Sequence, residues 1–343
     1  MTANALTLAV KKLAAGESLS ARESADAFGV VMAGDGTPSQ MSALLMGLRV
    51  KGETAEEVAG AAMAVRGAMT VLETNNPTAL VDTCGTGGGA VTTFNISTAS
   101  ALLTAGVGAR VAKHGNRSFT TKSGSADVIE ALGIAIDIPV QRMAEVLDRA
   151  GIVFMFAPAM HPAMRHVGTV RREISIPTVM NLVGPLANPA RAGRQVIGVA
   201  DKARYELVAG ALRVLGTRHS LVVYGEPGMD EISPLGTTSV VEIRDGAETR
   251  WTIEPEQLGV GAMAASELAG GDPAQNATII ERVLSGKGAA GATMAVLLNA
   301  AGAIYVAGLA GHFSSALTVA REALRSGAGR DALDRLRAAA PRM

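Results

Sequence analysis

Residues 82–98 read Asp-Thr-Cys-Gly-Thr-Gly-Gly-Gly-Ala-Val-Thr-Thr-Phe-Asn-Ile-Ser-Thr, and an apolar helical stretch, Ala99–Ala105, follows. Gly85, Gly87, Gly88 and Gly89 put four glycines into five positions. A backbone without Cβ atoms lets several N–H groups close on an anion. Asn95, Ser97 and Thr98 stand where the helix begins, adding hydroxyl donors and the positive end of its dipole. A tight strand-to-helix turn capped by Ser97 would explain the glycines alone. The hydroxyls on both sides favour a phosphate-bearing ligand. The spacing is neither the Gly-x-Gly-x-x-Gly dinucleotide fingerprint nor a P-loop, because no Gly-Lys-Ser/Thr follows.

From Leu80 onward, short apolar runs alternate with glycine turns and helical stretches. Examples of the runs are Ala109–Ala112, Ile152–Phe156, Gln195–Val199 and Leu221–Tyr224. That alternation predicts a parallel sheet covered by helices. Upstream the character differs. Ser20–Glu23, Thr37–Gln40 and Thr54–Glu57 are capping boxes, with Pro38 at a first helical position. Between them lie apolar faces such as Met41, Leu44, Leu45 and Leu48, spaced by three and four. Four short helices in a small bundle are expected there, with Asn75-Asn76-Pro77 as the boundary. The fold class is therefore α/β. It comprises a helical domain over residues 1–74, joined by a helical segment around 170–190, and an α/β domain over residues 75–343 with a mostly parallel central sheet.

Composition narrows the function. At 343 residues with 48% hydrophobic and 18% charged, this is a packed globular chain. Lysine plus arginine equals aspartate plus glutamate, 31 against 31, so no general field attracts nucleic acid or an anionic membrane. Only 3% of residues are aromatic, which leaves few platforms for stacking bases. The single cysteine, Cys84, excludes an internal disulfide, and with no secretory signal evident a cytoplasmic location is expected. Gly288–Gly311 is long and apolar enough to span a bilayer, but it is Ala- and Gly-rich and interrupted by Asn299 and Tyr305. A helix buried on all sides is expected instead.

Three further motifs carry chemistry. Lys113-His-Gly-Asn-Arg117, followed by Ser118-Phe-Thr-Thr-Lys-Ser-Gly-Ser125, reads as a basic, hydroxyl-rich loop after the run Ala109–Ala112. Open α/β sheets place ligands at such strand ends, and a polyanion would satisfy these side chains. Met160–Glu173 holds Arg165, His166, Arg171 and Arg172 along a helix, and arginine's fork suits a planar carboxylate. Met229-Asp-Glu-Ile-Ser233 sets two carboxylates beside a strand end, where Mg²⁺ with its preference for oxygen would fit.

In this order, Gly-Thr-Gly-Gly88, Phe-Asn-Ile-Ser-Thr98, Lys-His-Gly-Asn-Arg117 and Asp-Glu231 resemble the anthranilate phosphoribosyltransferase family over most of the chain. The resemblance implies transfer of a phosphoribosyl group from 5-phosphoribosyl-1-pyrophosphate to the amine of anthranilate, with Mg²⁺, in a homodimer formed through the helical domain. It assigns the donor to Gly85, Gly88, Gly89, Thr93, Asn95, Ile96, Ser97 and Thr98. Lys113, His114, Gly115, Asn116, Arg117, Ser118, Phe119, Thr120, Thr121 and Ser125 continue that donor site. Gly85, Asn116 and Arg171 would contact anthranilate, and Ser97, Asp230 and Glu231 would hold Mg²⁺. No catalytic acid or base is expected, since positioning and electrostatics suffice for this chemistry. Gly89 departs from the family, which usually has aspartate there, and Thr121 replaces a common serine. The rival readings are a pyrimidine nucleoside phosphorylase and a silent relative that binds nucleotides or nucleic acid. Lys113–Arg117 and the Asp230–Glu231 pair favour the Mg²⁺-dependent donor over the first, and neutral charge, sparse aromatics and the same carboxylate pair speak against the second.

Overall fold

A computed structural model describes residues 4–118 and 122–342. The chain folds into two compact units. The first takes in the described residues through Thr70 together with Pro158–Pro189 and Glu206–Gly216. The second holds Val71–Ala157, Ala190–Tyr205 and the chain from Thr217 onward.

The helical unit begins with α1 (Ala5–Ala14), α2 (Ala21–Ala33), α3 (Pro38–Lys51) and α4 (Ala55–Gly67). All three expected capping boxes form, at Ser20, Thr37 and Thr54. Met41, Leu44, Leu45 and Leu48 turn one face of α3 into the core, as their spacing requires. Gly60 lets α4 press onto α2, because a Cβ there would lie 2.3 Å from the Ala21 carbonyl oxygen. Glu57 does more than cap. Its carboxylate also accepts from the Leu19 N–H at 2.8 Å and pairs with Lys51 at 3.0 Å.

The α/β unit is built on one seven-stranded sheet. Its strands are β1 (Val81–Gly85), β2 (Val111–Gly115), β3 (Ile152–Phe156), β4 (Arg194–Gly198), β5 (His219–Gly225), β6 (Thr238–Arg244) and β7 (Ala247–Ile253). The order is β3-β2-β1-β4-β5-β6-β7. The first five run parallel, and β6 and β7 are antiparallel additions that the apolar runs did not announce. Asp245-Gly246, both at positive φ (49° and 84°), makes the two-residue hairpin between them. Beyond β1 the chain goes to β2 on one side, and later to β4 on the other. The strand order therefore reverses between β1 and β4, where open α/β sheets bind ligands beyond the carboxyl ends of their strands.

One expectation needs correcting. Lys113, His114 and Gly115 belong to strand β2 rather than to a loop after it, paired with Phe154, Met155 and Phe156 of β3. The strand starts later than the apolar run and ends later, because β3 supplies partners as far as Phe156. Lys113 can lie in a buried strand because its ammonium finds oxygen acceptors at the strand end. The helix Ala290–Ala307 is long and apolar enough to cross a membrane by length and composition, and it is 72% buried within the protein.

Candidate active site at the strand ends

Strands β1, β4 and β5 all end in glycine, and the segment 228–233 lies directly on those ends. A Cβ on Gly198 would meet the Asp230 carbonyl oxygen at 1.7 Å, and one on Gly225 the Glu231 carbonyl oxygen at 2.4 Å. A Cβ on Gly85 would sit 2.3 Å from Asp230 Oδ2. Gly87 and Gly88 are glycine for another reason. Both have positive φ (72° and 77°), a conformation that residues with side chains resist. The Gly87 N–H donates to Asp230 Oδ2 at 2.7 Å.

The helix α5 (Ile96–Gly106) starts at the same place. Ile96 is a core residue, fully buried. The Ser97 N–H donates to Glu231, and Thr83 Oγ1 donates to the Ser97 carbonyl at 3.0 Å. No side chain caps α5 from Asn95. The Thr98 hydroxyl is buried with no partner among the described residues. Asn95 is instead held by Ser123 Oγ (3.3 Å) and Asn276 Nδ2 (2.9 Å), so its amide ties the glycine loop to the segment before Ser125.

Lys113 reaches back under this region. Its Nζ donates to the Thr83 carbonyl at 2.5 Å and to Ser97 Oγ at 3.2 Å. Burial pushes its pKa down, opposed by the charges of Asp82, Cys84 and Glu231. His114 N–H donates to buried Asp82 Oδ1 at 3.2 Å. Asn116 N–H donates to Ser125 Oγ, also at 3.2 Å. Arg117 turns onto Asp127 (2.7 Å) and Glu130 (2.6 Å), with its guanidinium 5.7 Å from the Phe156 ring centre. Asp127 also accepts from the N–H groups of Ser118 and Gly124. Phe119, Thr120 and Thr121 lie outside the described residues.

The carboxylates are under electrostatic load. Burial pushes the Asp230 pKa up, against the Gly87 hydrogen bond. Glu231 is pushed up to about 8, first by burial and then by the Asp230 charge, with Lys113 and the Ser97 N–H pulling the other way. Lys113 is too little positive charge for both. Two adjacent oxygen ligands short of counter-charge, beside the Ser97 hydroxyl, fit a hard divalent cation. Among the described residues no group of three His, Cys, Asp or Glu could hold a metal ion.

Arg171 belongs to the helical unit, on the helix Arg165–Ile174. Among the described residues no ion pair or hydrogen bond engages its guanidinium, and burial alone pushes its pKa down. Its neighbour Arg172 hydrogen-bonds Thr169. Sequence reasoning missed Ser123, Asp127 and Asn276. Asp127 has partners only three to ten residues away, at Gly124, Ser118 and Arg117, whereas Ser123 and Asn276 meet Asn95 from 28 and 181 residues away.

Comparison with known proteins places this architecture. Residues 77–330 match the family described as glycosyl transferase family, a/b domain, and residues 8–69 match its helical bundle domain. Fold and site thus define a two-part glycosyl transferase. The anthranilate phosphoribosyltransferase of Anaeromyxobacter dehalogenans is 45% identical over 331 residues, 96% of this chain and 97% of that one. The crystal structure of the Thermus thermophilus enzyme of that name superposes with a TM-score of 0.91 at 39% identity, covering 96% and 98% of the two chains. The Saccharomyces cerevisiae enzyme, solved in complex with PRPP and Mg, gives 0.86 at 28% identity and 97% of each chain. This chain belongs to the anthranilate phosphoribosyltransferase family, and it is a phosphoribosyltransferase of tryptophan biosynthesis. The phosphorylase and non-catalytic readings are set aside.

Proposed function

We propose that the chain moves the phosphoribosyl group from 5-phosphoribosyl-1-pyrophosphate to the amine of anthranilate at the carboxyl ends of β1, β2, β4 and β5. The observation that carries this placement is the Asp230–Glu231 segment seated on three glycine-ended strands beside the glycine loop and the start of α5. Gly85, Gly88 and Gly89, with Thr93, Asn95, Ser97 and Thr98, are the donor's phosphate and ribose contacts, while the Gly87 N–H stays on Asp230. Lys113 fixes Ser97 and Thr83 from beneath, and Asn116 and Ser125 extend the donor site. Arg117 joins it only by leaving Asp127 and Glu130. Ser97, Asp230 and Glu231 hold Mg²⁺, which when bound neutralises charge on the leaving pyrophosphate. The amine nitrogen of anthranilate forms its bond to C1 of the ribose as the C1–O bond to pyrophosphate breaks, and the amine's proton then passes to solvent. The chain's contribution is to hold the reacting groups in line and to stabilise the separating charges.

Arg171, half-buried and unengaged among the described residues, takes the anthranilate carboxylate with its two-pronged guanidinium. Homodimer formation is assigned to the helical unit, where Leu8 (55%), Val50 (79%) and Met63 (37%) are exposed. The setting is the reducing cytoplasm. Purified protein with donor, MgCl₂ and anthranilate should extinguish anthranilate fluorescence and release pyrophosphate in equal amount. Folded protein that consumes no anthranilate under these conditions overturns the reading. Arg171→Ala should raise the anthranilate KM by roughly a hundredfold, the value of a lost charge-assisted fork, with the donor KM little changed.

A further inference from the structure

Asn299 lies in the middle of the helix Ala290–Ala307, the only polar side chain in its fully buried stretch Ala295–Ile304. A helix so placed would be more stable with leucine at that position unless the amide has a specific task. Every hydrogen-bonding group of this amide is used. Its Oδ1 accepts from the Ile232 N–H at 2.8 Å, and its Nδ2 donates to the Ile232 carbonyl at 2.9 Å. The remaining N–H donates to the Ala295 carbonyl at 2.9 Å, which fixes the side chain on its own helix. Both backbone groups of Ile232 are thus clamped as a neighbouring strand would clamp them, at a point beyond the ends of the sheet's parallel strands.

Ile232 is the residue after Glu231. Gly302, three residues further along the helix, brings it close on the same side, since a Cβ there would stand 2.8 Å from Ile232 Cδ1. The segment bearing the two carboxylates is therefore gripped from two directions, by the glycine ends of β1, β4 and β5 and by the amide of Asn299. We propose that Asn299 is a positioning residue for the cation-binding carboxylates, setting the direction of Asp230 and Glu231 by fixing the backbone of Ile232. This rests on the reading of those carboxylates as cation ligands. Outer partners of this kind tune metal affinity by holding the ligands in one geometry.

The test compares Asn299→Ala with wild type. Mn²⁺ serves as the paramagnetic probe, and its binding in the presence of the donor is followed by electron paramagnetic resonance. The Mg²⁺ dependence of turnover is measured alongside. The expected result is metal binding weakened roughly tenfold, the lower end of the range for outer-shell partners, with the Mg²⁺ midpoint rising in step and the anthranilate KM unmoved. A lower melting temperature with unchanged metal titration would mean a packing role only, and would overturn the proposal. Should Asn299→Ala fail to fold, Asn299→Ser takes its place. Its hydroxyl can still bond Ala295 but falls short of Ile232, and it should show the same metal shift. An unshifted Asn299→Ser overturns the proposal equally. Asp230→Asn and Glu231→Gln separate the two levels. If they leave Mn²⁺ binding intact, the cation-ligand reading fails and this inference with it. If they abolish binding while Asn299 variants do not, only the inference fails.

Discussion

Glu242 on β6 and Glu231 beyond the end of β5 are both mostly enclosed in the α/β unit, yet their surroundings differ. Glu242 is fully partnered. His219 Nε2 and the Tyr305 hydroxyl lie 2.8 Å from Oε1, and the indole N–H of Trp251 donates to Oε2 at 2.9 Å. His219, Tyr305, Trp251 and Phe313 pack edge to face around it. Glu231 has one backbone N–H, a distant share of Lys113 and a second carboxylate beside it. A fully satisfied carboxylate fixes structure, as Glu242 does at the antiparallel end of the sheet. An under-compensated one stores a demand for positive charge, and the parallel end keeps that demand open for the reaction.

The largest expected difference between the two regions is in activity. Glu231→Gln should lower kcat by about a hundredfold or more, as loss of a group that organises transition-state charge does, while leaving the melting temperature unchanged or raised. Glu242→Ala should leave kcat nearly intact and cost about 2–4 kcal/mol in stability, because three donors lose their acceptor. Denaturant melts read by the single tryptophan, Trp251, together with steady-state rates, would break the comparison if the two variants behaved alike.

A second difference lies in pH dependence. Glu231's folded pKa of about 8 stands above its ordinary 4.5, so the folded protein binds the proton more tightly than the unfolded chain. Its contribution is fully present below 4.5 and is lost as pH rises toward 8. His161, in the helical unit, has the opposite sign. Burial lowers its pKa from 6.5 to about 4, so its contribution is present above 6.5 and is lost as pH falls toward 4. Melting temperatures of ligand-free protein from about pH 5 to about pH 8.5 should show the alkaline loss in wild type and a flatter profile in Glu231→Gln. An identical profile in the two would remove Glu231 as its source.

The smallest effect is expected at Gly89. A Cβ there would stand 3.0 Å from the Gly228 carbonyl oxygen, a contact that a small backbone shift relieves. Gly89→Asp should therefore change the donor KM or its Mg²⁺ dependence by a few-fold, with the anthranilate KM unaffected. An unaltered donor profile would make the position a hinge and nothing more.

These contrasts also show what the sequence made legible. The capping boxes at Ser20, Thr37 and Thr54 were readable because each is closed within four residues. Four of the five parallel strands, β2 to β5, were readable because strands buried on both faces are apolar runs, whereas β1, Val-Asp-Thr-Cys-Gly, carries polar residues and was not among those runs. Strand β7 was not readable, since it is an exposed edge with Arg250 and Glu248 among its residues. The glycine loop and the Asp230–Glu231 pair were visible as residue types. Their mutual contact was not, because it joins positions 143 residues apart. Asn299 could be noticed only as an interruption of an apolar helix, since its partner Ile232 is 67 residues away.

The glycine-ended strands have a consequence for how this site would look to mutagenesis. A scan that trims side chains to alanine passes over Gly85, Gly198 and Gly225, where there is nothing to trim. Yet at each of them a single added methyl group would strike the segment that carries the carboxylates, nearest of all at Gly198, where it would meet the Asp230 carbonyl oxygen at 1.7 Å. The positions least tolerant of change would be those with no functional group at all, so a map of the site drawn from lost side chains would be blank where the constraint is tightest.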